Sequence, residues 1–360
     1  MKDSGEIVRS FRGKKILVTG GAGAIGSNLC RALLGAGAQV LVLDNFSSAE
    51  RWNLPSEPGL LLVEGDIRDE VKLKRVFFER PEIVFHLAAF FANQNSVDHP
   101  ETDLEVNGMG TLRLLEYSVF TGVSRFVYAS SGCSIYGSAA PLPLREEFTS
   151  LHLSTPYQIT KMLGELYGNF FHHHYGLPVV KPRFFNSYGP GEVPGQYRNV
   201  IPNFIYWAMR GQPIVITGTG DETRDFTYVG DIVDGLLRCG VMPEAVSEEF
   251  NLASGVETKI GDLARMIIEA TGSRSEVVFG AKRKWDTKSR LRASVDKAGR
   301  HLGYAPATRF EDGLEKTVRW FREHWDRIES AARFGPGASS AVREAAGQDA
   351  AGSVKTPGAR

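Results

Sequence analysis

The sequence of 360 residues is long enough for one large domain, or for two unequal ones, with a substantial core. It carries 42 Lys and Arg against 42 Asp and Glu, and this zero net charge argues against a nucleic-acid-binding surface, which needs a basic excess. The three cysteines lie too far apart for a disulfide framework or a metal-ligand motif, which favours a reducing cytoplasm. We expect neither a secretory signal in the charged first residues nor a membrane span, which needs a run of roughly 18 apolar residues.

The first half of the chain alternates short apolar runs with segments of helical pattern. Runs rich in Val, Ile and Leu predict buried strands at residues 15–20, 38–45, 59–66, 82–89, 125–131 and 177–186. Helical patterns between them cover about 24–36, 69–79, 101–121 and 155–175. This alternation predicts an α/β fold with a doubly wound parallel sheet and right-handed crossovers.

The character of the sequence changes after Asn186. The Gly- and Pro-rich loop 187–199 leads into a less regular mixture of strands and helices, so we predict a first domain over 1–186 and a smaller lobe over 187–330. The segment at about 223–240 is expected to return to the first domain. From residue 331 to 360 the chain is rich in Gly, Ala and Ser, which predicts a disordered tail.

A glycine triplet follows the first predicted strand and opens a helix. Gly20, Gly23 and Gly26 permit a tight turn there and let backbone N–H groups approach a pyrophosphate. Asp44 ends the second strand, at the spacing expected of a carboxylate that binds the adenosine ribose. Because a carboxylate repels a 2′-phosphate, we expect NAD rather than NADP.

A tyrosine and a lysine share one face of the predicted helix that begins near Pro156. Tyr157 and Lys161 are four residues apart. A free tyrosine titrates near about 10, and a neighbouring cation lowers its pKa, so Tyr157 could take a proton from a sugar hydroxyl while hydride leaves for NAD. The expected cofactor site therefore comprises Gly20, Gly23, Ala24, Ile25, Gly26, Asp44, Asn45, Asp66, Ile67, Leu87, Ala88, Ala89, Tyr157 and Lys161.

With "TGGAGAIGS", "LDN", "GDIRD", "HLAA", "VNGMGTLRLLE", "YQITK", "RFFNSYGPG" and "TRDFTYVGDIV", the sequence resembles the extended short-chain dehydrogenases/reductases of the nucleotide-sugar epimerase/dehydratase family over about residues 14–325. The resemblance implies a Rossmann domain that holds NAD and a C-terminal lobe that binds a nucleoside-diphosphate sugar. It also implies a homodimer in which helices 101–121 and 155–175 pack across a two-fold axis.

The stretch "SSGCSIYG" at 130–137 departs from the family pattern. The residue four before Tyr136 is normally a Ser or Thr that hydrogen-bonds the reacting oxygen, and here it is Gly132. Either Ser131 serves instead or Ser134 swings in. We favour Ser131, because it ends the strand and the glycine after it can absorb a shift.

The residues after Gly132 also bear on the reaction. The resemblance places a carboxylate-bearing pair there in 4,6-dehydratases and a Glu in decarboxylases, whereas this chain has Cys133 and Ser134, with Glu146 and Glu147 further downstream. A 4-epimerase needs no further acid or base. We therefore favour a nucleotide-sugar 4-epimerase, with a 4,6-dehydratase, another epimerase or a non-catalytic NAD-bound scaffold as the alternatives.

Cys133 leaves a further reaction open. Enzymes resembling GDP-mannose 3,5-epimerase use a Cys–Lys pair in this region, and Cys133 is one residue from the corresponding position. The loop 189–199 contains no lysine. We therefore favour a structural role for this thiol.

The resemblance also indicates substrate contacts. Arginines are expected to meet the two phosphates of a nucleotide sugar, and the residues that match are Arg224, Arg290 and Arg292, with Asn186 beside the diphosphate and Asn199 and Val200 at the nucleobase cleft. Phe90 and Phe91 could restrict the sugar, bind an apolar substituent or belong to the core. No metal site is expected, since the three consecutive histidines 172–174 point about 100° apart on a helix.

Overall fold

A parallel β-sheet forms the centre of the first half of the chain in the computed structural model, which describes residues 3–283, 286 and 288–334. The strands in chain order are β1 Lys15–Thr19, β2 Gln39–Asp44, β3 Leu60–Glu64, β4 Ile83–His86, β5 Arg125–Tyr128, β6 Ser130–Ser131, β7 Val179–Phe184, β8 Ser187–Tyr188, β9 Ile214–Thr217, β10 Thr223–Asp225, β11 Thr227–Tyr228, β12 Glu249–Leu252, β13 Glu257–Lys259 and β14 Val277–Gly280. The main sheet has the order β12-β7-β5-β4-β1-β2-β3, and β6 pairs with β7. All these pairings are parallel.

Helices cover both faces of this sheet. They are α1 Ser4–Arg9, α2 Ala24–Gly35, α3 Glu70–Phe78, α4 Asn93–Asp98, α5 Pro100–Asp103, α6 Thr111–Thr121, α7 Gly132–Ile135, α8 Pro156–Tyr175, α9 Val200–Met209, α10 Val229–Val241, α11 Ile260–Thr271, α12 Asp296–Leu302, α13 Phe310–Glu323 and α14 Trp325–Ala331. A π-helical segment, Leu104–Gly110, joins α5 to α6, so the predicted helix 101–121 is a composite of three pieces. The predicted doubly wound α/β fold is confirmed.

Two apolar layers hold the helices on the sheet. One face buries α2, α10 and α12 through residues such as Leu33, Leu236 and Leu302. The opposite face buries α3, α6 and α8 through residues such as Leu73 and Leu114. Strands covered on both faces need continuous apolar runs, which explains why their sequences lack alternation.

The predicted smaller lobe has its own core, built from α9, α11, α13, α14 and the β9–β14 pair. The chain does not divide cleanly at residue 186, however. Helix α10 packs against α2, β5 and β7, while β12 extends the main sheet beside β7. Residues 223–228 instead lie in β10 and β11, which pair with β13 and β8. The part that packs on the main sheet is therefore α10, which makes up most of the predicted segment 223–240, together with β12 and α12.

The first four residues of the tail expected from residue 331 pack against the smaller lobe. Ala331 ends α14, and the Phe334 ring lies 5.5 Å from the ring of Tyr206, between centroids. Arg333 bridges to Gly195 through the backbone. Apolar burial of these side chains offsets the entropy of ordering them. The rest of the expected tail, 335–360, lies outside the described residues.

Candidate active site

A cavity of about 630 Å³ lies between the carboxyl ends of the parallel strands and the smaller lobe. In open parallel sheets this is where ligands bind, at the point where the strand order reverses, here between β1 and β4. The predicted site residues that line it are Gly20, Gly23, Ala24, Ile25, Gly26, Asp44, Asn45, Asp66, Ile67, Leu87, Ala88, Ala89, Ser131, Ser134, Tyr157, Lys161, Asn186, Asn199, Val200 and Arg224. The tertiary structure thus brings together groups that are far apart in sequence.

The glycine turn at one end of the cavity can accept an anion. Gly20 has a φ of +70°, and a Cβ on Gly26 would lie 2.2 Å from the Gly20 carbonyl oxygen. Only a chain without side chains there can pass so tightly from β1 into α2. The N-cap of α2 is Gly23, which has no side chain to occupy the first amides of the helix. Those amides and the positive end of α2 suit a pyrophosphate.

Asp44 is held at the end of β2 by the backbone of this turn. Its carboxylate accepts hydrogen bonds from the amides of Ala22, at 2.9 Å, and Phe46, at 2.8 Å. Burial raises the pKa of Asp44, and the two amide donors oppose that rise. The carboxylate therefore has a fixed orientation at the cavity wall, which suits hydrogen bonding to ribose hydroxyls.

Asp66 and Ile67 lie beside it, after β3. Asp66 accepts a hydrogen bond from Asn45 at 2.8 Å and pairs with Arg68. Burial raises the pKa of Asp66, but Arg68 and the hydrogen bond from Asn45 together lower it more, so the net direction is downward. This end of the cavity is consequently well suited to the adenosine half of NAD.

Tyr157 and Lys161 lie at the opposite end, near the start of α8. Thr155 caps that helix, and Pro156 takes its first position, where a missing N–H costs nothing. Lys161 Nζ donates to the carbonyl oxygen of Ala129 at 2.9 Å and lies 5.6 Å from the centre of the Tyr157 ring. The pair is therefore fixed on one helical face, as its spacing predicts.

Burial dominates the electrostatics of this pair. It lowers the pKa of Lys161 to about 8, opposed by the nearby Asp103 carboxylate. It raises the pKa of the Tyr157 phenol, and the charges of Asp103 and Cys133 add to that rise. The expected fall in the pKa of Tyr157 is thus not a property of the protein alone. A positive charge introduced beside the phenol would favour its ionised form.

Asp103 belongs to a hydrogen-bonded group that sequence reasoning missed. Its carboxylate accepts from the Thr160 hydroxyl at 2.7 Å and from the Asn107 amide at 2.8 Å. Asn107 also accepts a hydrogen bond from the Phe90 backbone. This group ties the helix of Tyr157 to the segment after β4.

Gly132 is a glycine because Phe185 occupies the space beside it. A Cβ at residue 132 would lie only 1.9 Å from Cε2 of Phe185, which is fully buried. The hydroxyls of Ser131 and Ser134 are 2.9 Å apart and both line the cavity. Ser131 is half-buried, whereas Ser134 is only 1% exposed, so Ser131 is the more accessible donor.

Cys133 has a lysine neighbour that the sequence does not reveal. Lys288 Nζ donates to the Cys133 carbonyl oxygen at 2.8 Å, and the thiol accepts a hydrogen bond from the backbone amide of Asn186. Burial raises the pKa of the thiol. Loop 189–199 contains no lysine, but Cys133 nevertheless has a lysine neighbour. Lys288 lies 155 residues further along the chain, so the sequence near Cys133 does not reveal it.

Of the three arginines predicted to contact the substrate, one lines the cavity and two lie on the outer surface. Arg224 lines the cavity and makes two 2.8 Å hydrogen bonds to Asp286. Arg290 pairs with Glu257, and Arg292 donates to the Gly255 carbonyl oxygen; both are exposed. Neither lines the cavity, and substrate contact by either arginine stays a prediction. Each finds a local partner on the outer surface instead.

The two phenylalanines after β4 are cavity residues rather than core. The Phe91 ring packs edge-to-face on Tyr157 with centroids 6.0 Å apart, and Phe90 packs on His99. Both are half-buried. This position argues against the core interpretation, while restricting the sugar and binding an apolar substituent both stay predictions.

The fold and the cavity define an enzyme that binds a nicotinamide dinucleotide. Residues 16–253 match the model of the NAD dependent epimerase/dehydratase family. The chain belongs to this family, and its cofactor is NAD, which the glycine turn and Asp44 fit.

Known proteins similar to this chain cover nearly all of its described length. An epimerase from Methanothermobacter thermautotrophicus is 55% identical, with a TM-score of 0.90, covering 91% of this chain and 98% of that one. The UDP-glucose 4-epimerase of Thermotoga maritima, solved with UDP-glucose, is 37% identical with a TM-score of 0.82, over 86% of this chain and 99% of that one. A UDP-glucose 4-epimerase of Mycolicibacterium smegmatis is 36% identical over 311 residues, 86% of this chain and 98% of that protein.

The described residues were also compared with what a membrane-spanning helix and a metal site require. None of those helices combines the length and apolar character that a bilayer crossing requires. Within the described ranges, no three His, Cys, Asp or Glu side chains are grouped to hold a metal ion. His172 instead hydrogen-bonds the Leu177 carbonyl oxygen.

The contact between Gly132 and Phe185 generates a stability prediction. Gly132→Ala should lower the free energy of unfolding by about 2 kcal/mol, because the added methyl overpacks a filled core. The measurement is urea denaturation. Gly35→Ala is the matched control, since nothing lies within 4 Å of its Cβ position, and it should raise stability by about 0.5 kcal/mol. Equal stability of Gly132→Ala and wild type would contradict the steric account.

Proposed function

We propose that the enzyme interconverts the C4 epimers of a nucleoside-diphosphate sugar through a transient 4-keto sugar. The observation that carries this proposal is the single cavity that joins the NAD-binding turn to the Tyr157–Lys161 pair. The similarity to UDP-glucose 4-epimerases supports both the reaction and a UDP-sugar as substrate.

The side chains divide the work as follows. NAD bound at the glycine turn supplies a hydride acceptor for C4, and later the donor. Tyr157 takes the proton from O4, and the Lys161 ammonium, fixed by its bond to Ala129, stabilises the phenolate. Ser131 donates a hydrogen bond to the reacting oxygen. Epimerisation further requires that the 4-keto sugar rotate within the cavity, so that its opposite face would meet the cofactor.

The residues that follow Gly132 favour epimerisation over dehydration. Elimination needs an additional acid and base at the reacting centre. Glu146, the nearest buried downstream candidate, accepts a hydrogen bond from the Asn251 backbone and does not line the cavity. Glu147 does not line it either. Cys133 and Ser134 line the cavity at the positions where the family resemblance places carboxylates in dehydratases and decarboxylases.

The cellular setting follows from the thiols. Cys30, Cys133 and Cys239 are all free, and Cys30 and Cys239 are buried. Free thiols suit a reducing compartment. We therefore place the enzyme in the cytoplasm, in carbohydrate biosynthesis.

Turnover tests the reaction. The purified enzyme, offered UDP-glucose and UDP-glucuronate in separate reactions, should convert at least one of them to its C4 epimer, followed by ¹H NMR, and Tyr157→Phe should lower kcat about 1000-fold, because the phenol is lost as acid and base. Tyr175→Phe, at an exposed position at the end of α8, is the control and should retain wild-type turnover. A 4-keto-6-deoxy product that absorbs in alkali would show dehydration instead. If no nucleotide sugar is converted, the alternative of a non-catalytic, NAD-bound scaffold protein would be favoured.

The two serines can be separated by the same assay. Ser131→Ala should lower kcat about 100-fold, because its half-buried hydroxyl is the donor to the reacting oxygen. Ser134→Ala should cost less than about 10-fold, since its hydroxyl acts on Ser131 at 2.9 Å. The reverse order would assign the role to Ser134.

Exposed apolar side chains on one set of helices support the expected homodimer. The faces of the π-helical segment, α6 and α8 expose the apolar side chains Leu104, Met109, Phe120, Ile159, Leu166, Phe170 and Tyr175. Exposed apolar area of this kind marks an interface with another protein surface. A two-fold contact would bring these helices of one protomer against those of its partner.

Sedimentation velocity tests this interface. Leu166→Asp, in the middle of α8, should convert a dimer to a monomer, because a charge would be buried without a partner. Phe279→Asp is the control, since Phe279 is exposed on β14 in the smaller lobe rather than on the helices of the proposed interface. A dimer that survives Leu166→Asp would locate the contact elsewhere.

A further inference from the structure

Lys288 places an ammonium group at the cavity wall. The residue lies between β14 and α12, on a stretch whose Arg290 and Arg292 turn outward. Its own side chain turns inward, lines the cavity and donates to the carbonyl oxygen of Cys133. Cys133 is the second residue of α7, the short helix that Ser131 caps. The ammonium is thus held by the short segment that follows Ser131, the proposed hydroxyl donor of the reaction.

The ammonium of Lys288 has no ion-pair partner among the described carboxylates. The neighbouring cation, Arg224, is by contrast neutralised by Asp286 through two hydrogen bonds. An ammonium has three N–H donors, and the Cys133 carbonyl oxygen accepts one of them. Burial lowers the pKa of Lys288, and the charges of Cys133 and Asp286 oppose that fall. A largely buried cation without a counter-ion is costly, so a ligand that brings an anion is favoured there.

We propose that Lys288 binds a carboxylate on the sugar, and that the substrate class is the nucleoside-diphosphate uronates. This inference rests on the proposed function and narrows it from nucleotide sugars in general to acidic ones. An ammonium and a carboxylate form a charge-assisted hydrogen bond of about twice the ordinary strength.

The position of Lys288 favours the sugar over the diphosphate. Its partner Cys133 has a thiol close enough to Tyr157 for its charge to raise the pKa of that phenol. The carbonyl contact therefore places the ammonium toward the reacting end of the cavity. The diphosphate has another cation in Arg224, which an entering phosphate can take from Asp286 by direct competition. Arg224 also lies close enough for its charge to act on Cys133, but its guanidinium is paired with Asp286, whereas Lys288 hydrogen-bonds the Cys133 backbone and has no such carboxylate partner among the described residues.

Measurements of ligand binding test the preference for a uronate independently of whether the enzyme catalyses 4-epimerisation. Titration calorimetry on the NAD-loaded Tyr157→Phe protein compares UDP-glucuronate, UDP-glucose and UDP. UDP-glucuronate should bind at least about 10-fold more tightly than UDP-glucose. Adding Lys288→Met should weaken UDP-glucuronate about 100-fold while changing UDP-glucose and UDP less than about 3-fold, because only the uronate loses a buried charge partner.

Two variants complete the design. Lys288→Arg keeps the charge and should recover part of the preference for UDP-glucuronate. Arg300→Met removes an exposed cation on α12, outside the cavity, and should leave all three affinities unchanged. Turnover of UDP-glucuronate and UDP-glucose by the enzyme with Tyr157 intact is measured in parallel, so that a failed reaction is seen separately from a failed preference.

Each outcome decides the proposal. Equal binding of UDP-glucuronate and UDP-glucose overturns the uronate class, even if 4-epimerisation is observed. An equal loss for all three compounds in Lys288→Met assigns the ammonium to the diphosphate and also overturns it. The uronate preference and its loss in Lys288→Met support it, and they do so whether or not the bound sugar is epimerised.

Discussion

The close contact between α8 and the carboxyl ends of β5 and β6 is the constraint on which the site depends. A Cβ on Gly164 would lie 2.1 Å from the Tyr128 hydroxyl, so the helix can approach the sheet only because residue 164 is a glycine. One turn earlier, Lys161 reaches the Ala129 carbonyl oxygen. One residue later, Glu165 forms a buried ion pair with Arg183 of β7. The helix is thus fixed on the sheet by packing, a hydrogen bond and a charge pair.

That contact explains why Tyr157 has a defined position at the cavity. The tyrosine is on the first turn of α8, and its backbone amide donates to the Ser96 hydroxyl. The same buried environment disfavours the phenolate, because removing a charge from water costs free energy. The site is therefore electrostatically incomplete as protein alone. The compensating positive charge has to come from Lys161 and from what the cavity binds.

The segment 131–134 at the cavity wall shows how a packing requirement determines which residues carry the hydroxyl groups. Phe185 fills the space beside Gly132, so no side chain fits at that position. The hydroxyl groups consequently lie on either side of it, at Ser131 and Ser134, within hydrogen-bonding distance of each other. The departure from the family pattern is thus a consequence of core packing, and it leaves the neighbouring Cys133 to meet Lys288.

The sequence by itself determined the alternating strands and helices, the glycine turn, Asp44 and the Tyr157–Lys161 pair. These features depend on residues within one strand–turn–helix unit or one helical turn, so their spacing is visible in a linear pattern. Only the tertiary structure decided that Arg290 and Arg292 face outward while Lys288 enters the cavity. It likewise decided that β12 and α12 join α10 on the first sheet, and that Phe185 excludes a side chain at residue 132. The physical reason is that such contacts join distant segments, and local propensity carries no information about which partner a side chain meets.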